Sequence, residues 1–505
     1  MAAPGQTQDH ARRLATGSLA QQASQVSGLI AMLAVITVLA RELPLSEFGA
    51  YGLLASMAGY LLVVQNAAAG AAVRRMAAAI DPGERDAVYS NALVLYLAAA
   101  VVAGLAVAAM GLALVAGLGL SSGVAASARR GAVLLGLTTA VCWPLTIQRD
   151  ALRARQRFIA LAGVEIVGVL GWAGLVVVLG LSGASLTVLV AVSGLMPGIV
   201  GLLATAAGRA DPGRPRWHAG SLRREDWRDL LGVAGWLSLA EAANPAVYAA
   251  DRAVLGLFEG AGSVGLLEGP VRAANVVRAL NAAVITTVLP AASRFVAERD
   301  ERRLRELVVR GLRYSLALMV PVSVVGMVLS APVLDAWLGP EFRQGATAMA
   351  ILLALWLPYG ASGVLIAVLV AAGEAAVVAR YAWTVACSSV ALALVLIPPL
   401  GLEGAALAAA LPFSAVVPFL LRRAVAVAGV GVGEVMRESF APSYALGAAL
   451  AACLGVARAA LEIEGVVAVV ACGLAGAALY WAAFYAVVMG PDERRFVRSL
   501  TPVSP

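Results

Sequence analysis

Fourteen runs of mostly apolar residues, each long enough to form a membrane-spanning helix, limit what this chain can fold into. Crossing about 30 Å of hydrocarbon takes roughly 20 helical residues. Only 13% of the 505 residues are charged, whereas soluble domains carry about a quarter, so most surface side chains must face lipid. We therefore expect an all-α polytopic membrane protein with about 14 transmembrane helices. The runs cover residues 16–40, 48–72, 88–117, 131–150, 158–180, 185–207, 230–257, 264–291, 311–332, 345–371, 376–398, 403–423, 442–461 and 465–489.

The arginines support this helix count and predict its orientation. The chain has no lysine, so all 37 basic residues are arginines. With the N-terminus inside, 29 of them lie in inward segments and only 5 in outward loops, while Arg252, Arg272 and Arg278 lie within helices. Short cytoplasmic loops collect positive charge. The polar N-terminal segment also lacks the apolar core of a cleaved signal peptide. We expect both termini in the cytoplasm.

Two pairs of similar segments indicate an internal repeat. Phe48-Gly49 corresponds to Val264-Gly265 at an offset of 216, and Gly183 corresponds to Gly404 at an offset of 221. Repeated halves are common in transporters. Helices 1 to 6 and 7 to 12 would then form two lobes, with helices 13 and 14 appended. The predicted division is an N-terminal six-helix lobe at 1–208, a cytoplasmic linker at 209–229, a C-terminal six-helix lobe at 230–424, and helices 13 and 14 with the tail at 425–505.

Several kinds of chemistry are disfavoured by what the chain lacks. Without lysine there is no Schiff base and no GxxxxGK[ST] loop, and two histidines and four scattered cysteines form no metal-binding motif. No outer loop is large enough for a catalytic domain. We expect no enzyme activity, no metal and no cofactor. The GxGxxG pattern at 260–265 follows no strand, so we interpret it as a flexible outward turn and not as a dinucleotide site.

Four stretches together resemble a known family. They are ARELPLSEFGAYGLL from Ala40, DRAVLGLFEGAGSVGLL from Asp251, VLPAASRFVAERD and VLDAWLGPEFRQGATAMAILL. In this order, along nearly the whole chain, they resemble the polysaccharide transporters (Wzx-type flippases) of the multidrug/oligosaccharidyl-lipid/polysaccharide exporter superfamily, relatives of the lipid II flippase.

The resemblance implies a location, a substrate and partners. The location is the bacterial cytoplasmic (inner) membrane. The substrate is a polyprenyl-pyrophosphate-linked oligosaccharide, moved from the inner to the outer leaflet. Membrane lipid and this lipid-linked oligosaccharide are the implied partners. Glycosyltransferases or the polymerase of the same pathway are candidate protein partners, and no nucleic acid is expected.

Helices 7 and 8 concentrate polar side chains at membrane depth. An ionised side chain at a helix centre costs roughly 2.5 to 3.5 kcal/mol, so it normally faces a bundle interior or a cavity. At 100° per residue, the polar positions of each helix fall on one face. We expect both faces to line a central cavity. Its predicted pyrophosphate-binding residues are Arg272, Arg278 and Arg252, and its other polar residues on these helices are Glu241, Asn244, Tyr248, Asp251, Glu268 and Asn275.

Structural interpretations of the same residues stay open. Glu268 and Arg272, four residues apart, could simply pair and pin helix 7 to helix 8. In the first half, Gln21, Gln25 and Asn66 could bind sugar hydroxyls or act only in helix association. Glu165 stands as an isolated acid that could hold a coupling cation.

Three rival functions are considered. A multidrug/cation antiporter of the same superfamily would need acidic groups in its cavity, and this chain has arginines beside its acids. A polymerase or ligase of lipid-linked sugars would need a large outer loop. A non-transporting scaffold of the cell envelope would make the intramembrane arginines dispensable.

Overall fold

A computed structural model describes residues 4–209, 211, 213–222, 227, 230–232 and 243–500. Long stretches of Ala, Leu, Val and Gly form helices because a chain in lipid must satisfy its backbone hydrogen bonds within each segment. No strand occurs among the described residues. The predicted all-α fold is confirmed.

The first eight helices precede the segment that joins the two predicted lobes. They are α1 Pro4–Glu42, α2 Leu45–Ala78, α3 Pro82–Gly117, α4 Ser122–Cys142, α5 Ile147–Ala154, α6 Phe158–Leu181, α7 Leu186–Ser193 and α8 Met196–Arg209. Eleven more follow: α9 Ala243–Glu259, α10 Ala261–Glu298, α11 Glu301–Val328, α12 Ser330–Leu338, α13 Ala346–Trp356, α14 Ser362–Ala371, α15 Ala375–Val427, α16 Val432–Val435, α17 Ala441–Ala460, α18 Gly465–Ala483 and α19 Pro491–Leu500. Two π-helical segments, Met436–Phe440 and Phe484–Val488, precede α17 and follow α18.

The described helices agree with the predicted spans. Ten are long and apolar enough to cross a membrane, or eleven if α7 and α8, bent by 45°, form one span. One of them, the 53-residue α15, contains two predicted spans divided at Gly401, whose φ of 51° favours glycine. Of the remaining two predicted spans, 48–72 lies within α2, and the first part of 230–257 lies outside the described residues. The chain is a multi-pass membrane protein.

Two predicted loops are helical in the structure. The expected loop at 292–310 is mostly the end of α10 and the start of α11, with Arg299 and Asp300 between them. Arg129 and Arg130, assigned to an outward loop, lie on α4 with exposed side chains. Helices extend beyond the apolar runs at these points because long arginine side chains reach water from the last turns inside the bilayer.

The described chain divides into two compact units. Unit 1 comprises Met1–Pro245 and Glu259–Gly265, and unit 2 comprises Ala246–Phe258 and Leu266–Pro505. The core of unit 1 includes an alanine-rich cluster around Tyr96 and Trp143. The lobe boundaries drawn from the sequence stay a prediction.

Within unit 1, the glycines of the first repeat motif mark a close helix crossing. A Cβ on Gly49 would lie 1.8 Å from the carbonyl oxygen of Ala261, and one on Gly265 would lie 2.7 Å from that of Leu45. Gly260 has a φ of 84° and joins α9 to α10, whereas Gly262 and Gly265 are helical. The GxGxxG pattern is therefore the start of a helix, and the expectation of a flexible turn is wrong beyond its first residue. The close approach of α2 explains the glycine at 265.

Candidate functional site

The best-defined polar site of unit 2 is an ion-pair cluster that joins α9 to α10. Glu268 is fully buried. One of its carboxylate oxygens lies 3.2 Å from Nη1 of Arg252, and the other lies 3.0 Å from Nη2 of Arg272. The pair expected between Glu268 and Arg272 is present, and Arg252 adds a second guanidinium from the neighbouring helix. One acid therefore balances one of two arginine charges.

Helix geometry accounts for this arrangement. Glu268 and Arg272 are four residues apart, so their side chains lie on one face of α10. Arg252 lies in the C-terminal half of α9, and Gly260, with a φ of 84°, joins α9 to α10. The adjacent Asp251 is also buried, and one of its carboxylate oxygens accepts the backbone N–H of Arg252 at 2.9 Å.

A small cavity adjoins the cluster within unit 2. Its volume is about 40 Å³. A cavity needs about 10 to 15 Å³ of this kind of volume to hold one water, so this one has room for one to a few waters. Among the residues that line it are Asp251, Arg252, Asn275, Arg278, Trp356 and Phe413. Three of the predicted arginine and amide positions thus meet at one cavity.

Aromatic side chains form the other wall of this cavity, and sequence reasoning missed them. Trp356 and Tyr359 contact Phe413, with ring centroids 5.6 and 4.8 Å away. The indole N–H of Trp356 is buried and has no hydrogen-bond partner in the described part of the chain. The spacing of Trp356 and Tyr359 in the sequence hinted at one aromatic face, but Phe413 lies on α15, far away in the chain. Only the fold brings the three together.

Some predicted cavity residues cannot be placed. Glu241 lies outside the described residues. Asn244 and Tyr248 lie on α9, but their side chains are outside the described part. The predicted polar face of helix 7 is therefore described only at Asp251 and Arg252.

In unit 1, Glu165 is not the isolated acid that the sequence suggested. Its carboxylate accepts hydrogen bonds from Gln21 at 3.1 Å and from Ser24 at 2.9 Å. Arg153 lies 3.5 Å away. These partners lie on α1 and α5, so linear distance along the chain concealed them.

Two other predicted polar positions of unit 1, Gln25 and Asn66, are exposed.

A second buried network in unit 1 was also missed. Asp150 is fully buried and accepts hydrogen bonds from Tyr96 at 3.0 Å and from Arg149 at 3.1 Å. From its position in the sequence, Arg149 is one of the 29 arginines predicted in inward segments. In the structure it follows a 3₁₀ turn at Pro144–Thr146 and lies on α5. The available signal was an Arg-Asp pair beside an apolar run.

Comparisons with known proteins agree with this architecture. Residues 14–296 match the model of a family described as polysaccharide biosynthesis protein, which covers more than half of the chain. Residues 277–470 match the model of the lipid II flippase MurJ. Among curated proteins, no sequence matches the chain significantly.

Solved structures of similar fold include flippases and drug transporters. The lipid II flippase MurJ in an inward closed conformation is 16% identical in sequence to this chain and superposes with a TM-score of 0.72. The alignment covers 93% of this chain and 99% of the MurJ chain. An inward-facing multidrug resistance MATE family transporter of the MOP superfamily is 15% identical, with a TM-score of 0.66; the alignment covers 80% of this chain and 96% of the transporter. A Vibrio cholerae MATE transporter is 14% identical, with 83% and 98% covered and a TM-score of 0.57. Identities this low establish a shared fold and nothing finer.

Proposed function

Because this chain belongs to the family of polysaccharide biosynthesis proteins, we propose that it is a flippase for polyprenyl-pyrophosphate-linked oligosaccharide. It carries this precursor from the inner to the outer leaflet of the bacterial cytoplasmic membrane by alternating access. The observation that carries the proposal is the arginine-rich cluster on α9 and α10, which is buried in a helix pair of a membrane protein.

The charges of this cluster suit a pyrophosphate. Three arginines (252, 272 and 278) face two acids (251 and 268), which leaves one positive charge in excess. Guanidinium stays charged in any membrane environment and donates paired hydrogen bonds to phosphate oxygens. Glu268 occupies two of these guanidiniums, so in the proposed cycle it keeps them aligned until phosphate oxygens replace its carboxylate.

The size of the neighbouring cavity indicates which state the structure represents. At about 40 Å³, it has room for one to a few waters, and a pyrophosphate, with two phosphorus and seven oxygen atoms, is larger than that. In the proposed cycle this part of unit 2 is therefore closed to substrate. Admission of the headgroup requires Trp356 and Phe413 to move away from Arg278.

A transport assay tests the proposal directly. Purified protein is reconstituted into proteoliposomes with a fluorescent lipid-linked oligosaccharide in one leaflet. Transport should move the label to the opposite leaflet, where a membrane-impermeant quencher reaches it, and the rate of quenching is measured. Arg278→Ala should slow this by about tenfold or more, because a hydrogen bond to a charged group contributes about 1.5 to 3 kcal/mol. The control is Arg343→Ala, which removes an exposed arginine that pairs with Asp335 at 3.5 Å.

The outcome separates the flippase from a scaffold. Normal protein abundance with lost transport supports the flippase. A scaffold predicts that Arg278→Ala behaves like Arg343→Ala and that membranes lacking the protein keep the same leaflet distribution of lipid-linked oligosaccharide.

A multidrug/cation antiporter is the second candidate, and the buried Asp251 is the observation that favours it. Its carboxylate lines the cavity and accepts the backbone N–H of Arg252, whereas the carboxylate of Glu268 pairs with two guanidinium groups. An antiporter should export a lipophilic cation in exchange for protons or sodium and should lose this activity in Asp251→Asn. Export of such a cation with no movement of lipid-linked oligosaccharide would replace the flippase proposal.

A further inference from the structure

The cavity beside the α9–α10 cluster has two chemically different walls. Arg252, Asn275 and Arg278 belong to one wall, and Trp356 and Phe413 belong to the other, which we call the aromatic wall. The lipid-linked oligosaccharide of the proposed function has a headgroup with the same division, because an uncharged sugar follows the charged pyrophosphate. The arginines suit the pyrophosphate. The aromatic wall therefore faces the group that is attached to it.

Both walls lie near the middle of the membrane. Arg278, Trp356 and Phe413 are each within two residues of the midpoint of their predicted spans. Transporters that work by alternating access bind their substrates near this depth, often beside helices that are interrupted there. The aromatic wall thus lies at the depth through which the headgroup has to pass.

The span that carries Trp356 is interrupted at this depth. Helix α13 ends at Trp356, a 3₁₀ turn follows at Pro358–Ala361, and α14 begins at Ser362. An interrupted helix inside lipid has backbone groups that need partners from other parts of the protein.

Side chains from neighbouring helices supply such partners. Ser315 on α11 donates to the carbonyl of Gly360 at 2.7 Å, and Asn281 on α10 accepts the backbone N–H of Gly363 at 2.9 Å. The fold therefore compensates backbone groups around the interruption, and it leaves the adjacent indole N–H of Trp356 without such compensation.

This indole N–H is a buried donor at a cavity. Trp356 is 4% exposed and lines the cavity, and its Nε1 has no hydrogen-bond partner within the described residues. Native proteins contain few such groups, because a buried donor without an acceptor is costly. An acceptor that arrives with the substrate would remove this cost.

A sugar matches both properties of the aromatic wall. Phe413 meets Trp356 and Tyr359 with interplanar angles of 63° and 71°, and the movement of Phe413 that the proposed cycle requires frees ring surface. Aromatic faces carry partial negative charge, which attracts the weakly positive C–H groups on the face of a pyranose ring. Hydroxyl groups at the rim of the sugar accept hydrogen bonds.

We propose that Trp356 and Phe413 form the subsite for the first sugar of the glycan, the one joined directly to the pyrophosphate. The sugar packs its C–H face against the rings, and one of its hydroxyl groups accepts a hydrogen bond from Nε1 of Trp356. Arg278 binds the adjacent phosphate. This inference rests on the proposed function and adds to it that the protein recognises the proximal sugar as well as the pyrophosphate.

Binding of matched lipids to the purified full chain in detergent tests the subsite. The probes are polyprenyl pyrophosphate and the same lipid carrying one glucose, galactose or N-acetylglucosamine, and each Kd is measured by microscale thermophoresis. At least one sugar-bearing probe should bind the wild type more tightly than the sugarless lipid does. The ratio of the two Kd values is the sugar preference.

The variant Trp356→Phe keeps an aromatic ring and removes the N–H. It should lower the sugar preference by about fivefold, which corresponds to the loss of one neutral hydrogen bond. Phe413→Leu removes a ring from the aromatic wall and should lower the preference as well. Arg278→Ala should weaken the binding of all four probes and keep the preference, because every probe carries the pyrophosphate.

Trp143→Phe is the matched control. It makes the same replacement at another buried indole whose N–H has no partner in the described part of the chain. Trp143 lies in the core of unit 1 and does not line this cavity. Its sugar preference should equal that of the wild type.

The outcomes separate the subsite from the function on which it rests. Equal Kd values of the wild type for all four probes would overturn the subsite, and so would an unchanged preference in Trp356→Phe and Phe413→Leu. In both cases, weaker binding of every probe by Arg278→Ala would still support the pyrophosphate site. A wild type that binds none of the probes would overturn the proposed function, and the subsite with it.

Discussion

At the scale of single residues, partners decide what each buried charge does in this protein. Glu268 lies between two guanidiniums on two helices, and Glu165 accepts hydrogen bonds from Gln21 and Ser24. In lipid such groups are retained only where partners compensate them. The sequence located most of these acids and arginines, but it identified only one of their pairings, the one within a single helix.

Replacing Glu268 by glutamine should destabilise unit 2. Without the carboxylate, Arg252 and Arg272 would be two close, buried positive charges, and breaking a buried pair costs about 3 to 5 kcal/mol. Thermal unfolding in detergent measures the effect. Glu298→Gln on the same helix is the control, because Glu298 pairs with Arg294 in an exposed position, where a pair contributes about 0 to 1 kcal/mol. Equal melting temperatures for the two variants would contradict the cluster.

Asp211 should make the segment after α8 sensitive to acid. A hydrogen bond from Arg155 lowers the pKa of its carboxyl group. A lowered folded-state pKa means that the interaction stabilises the segment at pH values above the unfolded pKa of about 3.9 and is lost as the pH falls below it. The protection factors of residues 213–222, which correct for slower intrinsic exchange at low pH, should therefore fall as the pH drops below about 4. Unchanged exchange in Asp211→Asn at neutral pH would refute this.

At the scale of elements, close approaches between helices explain several glycines. Gly49 on α2 meets the first turns of α10 within unit 1, and the two glycines of the repeat motif lie at this crossing. The sequence showed the motif as a repeat but could not show that its two copies contact each other. The sequence also placed the start of α11 too late. This helix begins with charged residues, including arginines, so its first turns precede the apolar run from which the span was predicted.

The variant Gly49→Ala should loosen this crossing. Its methyl group would overlap a backbone carbonyl, and inserting an extra methyl into a tight contact typically costs about 1 to 3 kcal/mol. Gly59→Ala is the matched control on the same helix, because a Cβ there meets nothing within 4 Å. Hydrogen exchange at 45–55 and 261–268 should rise only in Gly49→Ala. Equal exchange in both variants would argue against the crossing.

At the scale of the whole molecule, the hydropathy pattern gives the architecture. The ten or eleven membrane-length helices of the described residues lie where apolar runs predict them. The orientation in the membrane still rests on the arginine distribution alone.

Thiol labelling of whole cells tests that orientation. In a variant without the four native cysteines, Glu341→Cys should react with a membrane-impermeant reagent in intact cells, because residues 333–345 are predicted to lie outside. His218→Cys should react only after permeabilisation. The reverse pattern would invert the predicted topology.

The sequence by itself determined that this chain is a membrane protein of about 14 helices and where most of them lie. The physical reason is that lipid forces each span to satisfy its own backbone hydrogen bonds, so local hydropathy is sufficient. Only the tertiary structure decided which side chains meet: Trp356 with Phe413, Glu165 with Gln21, Arg305 with Glu434. These contacts join residues 57 to 144 positions apart, and no local pattern specifies them, because helices of nearly uniform Ala, Val and Leu composition can associate through many faces.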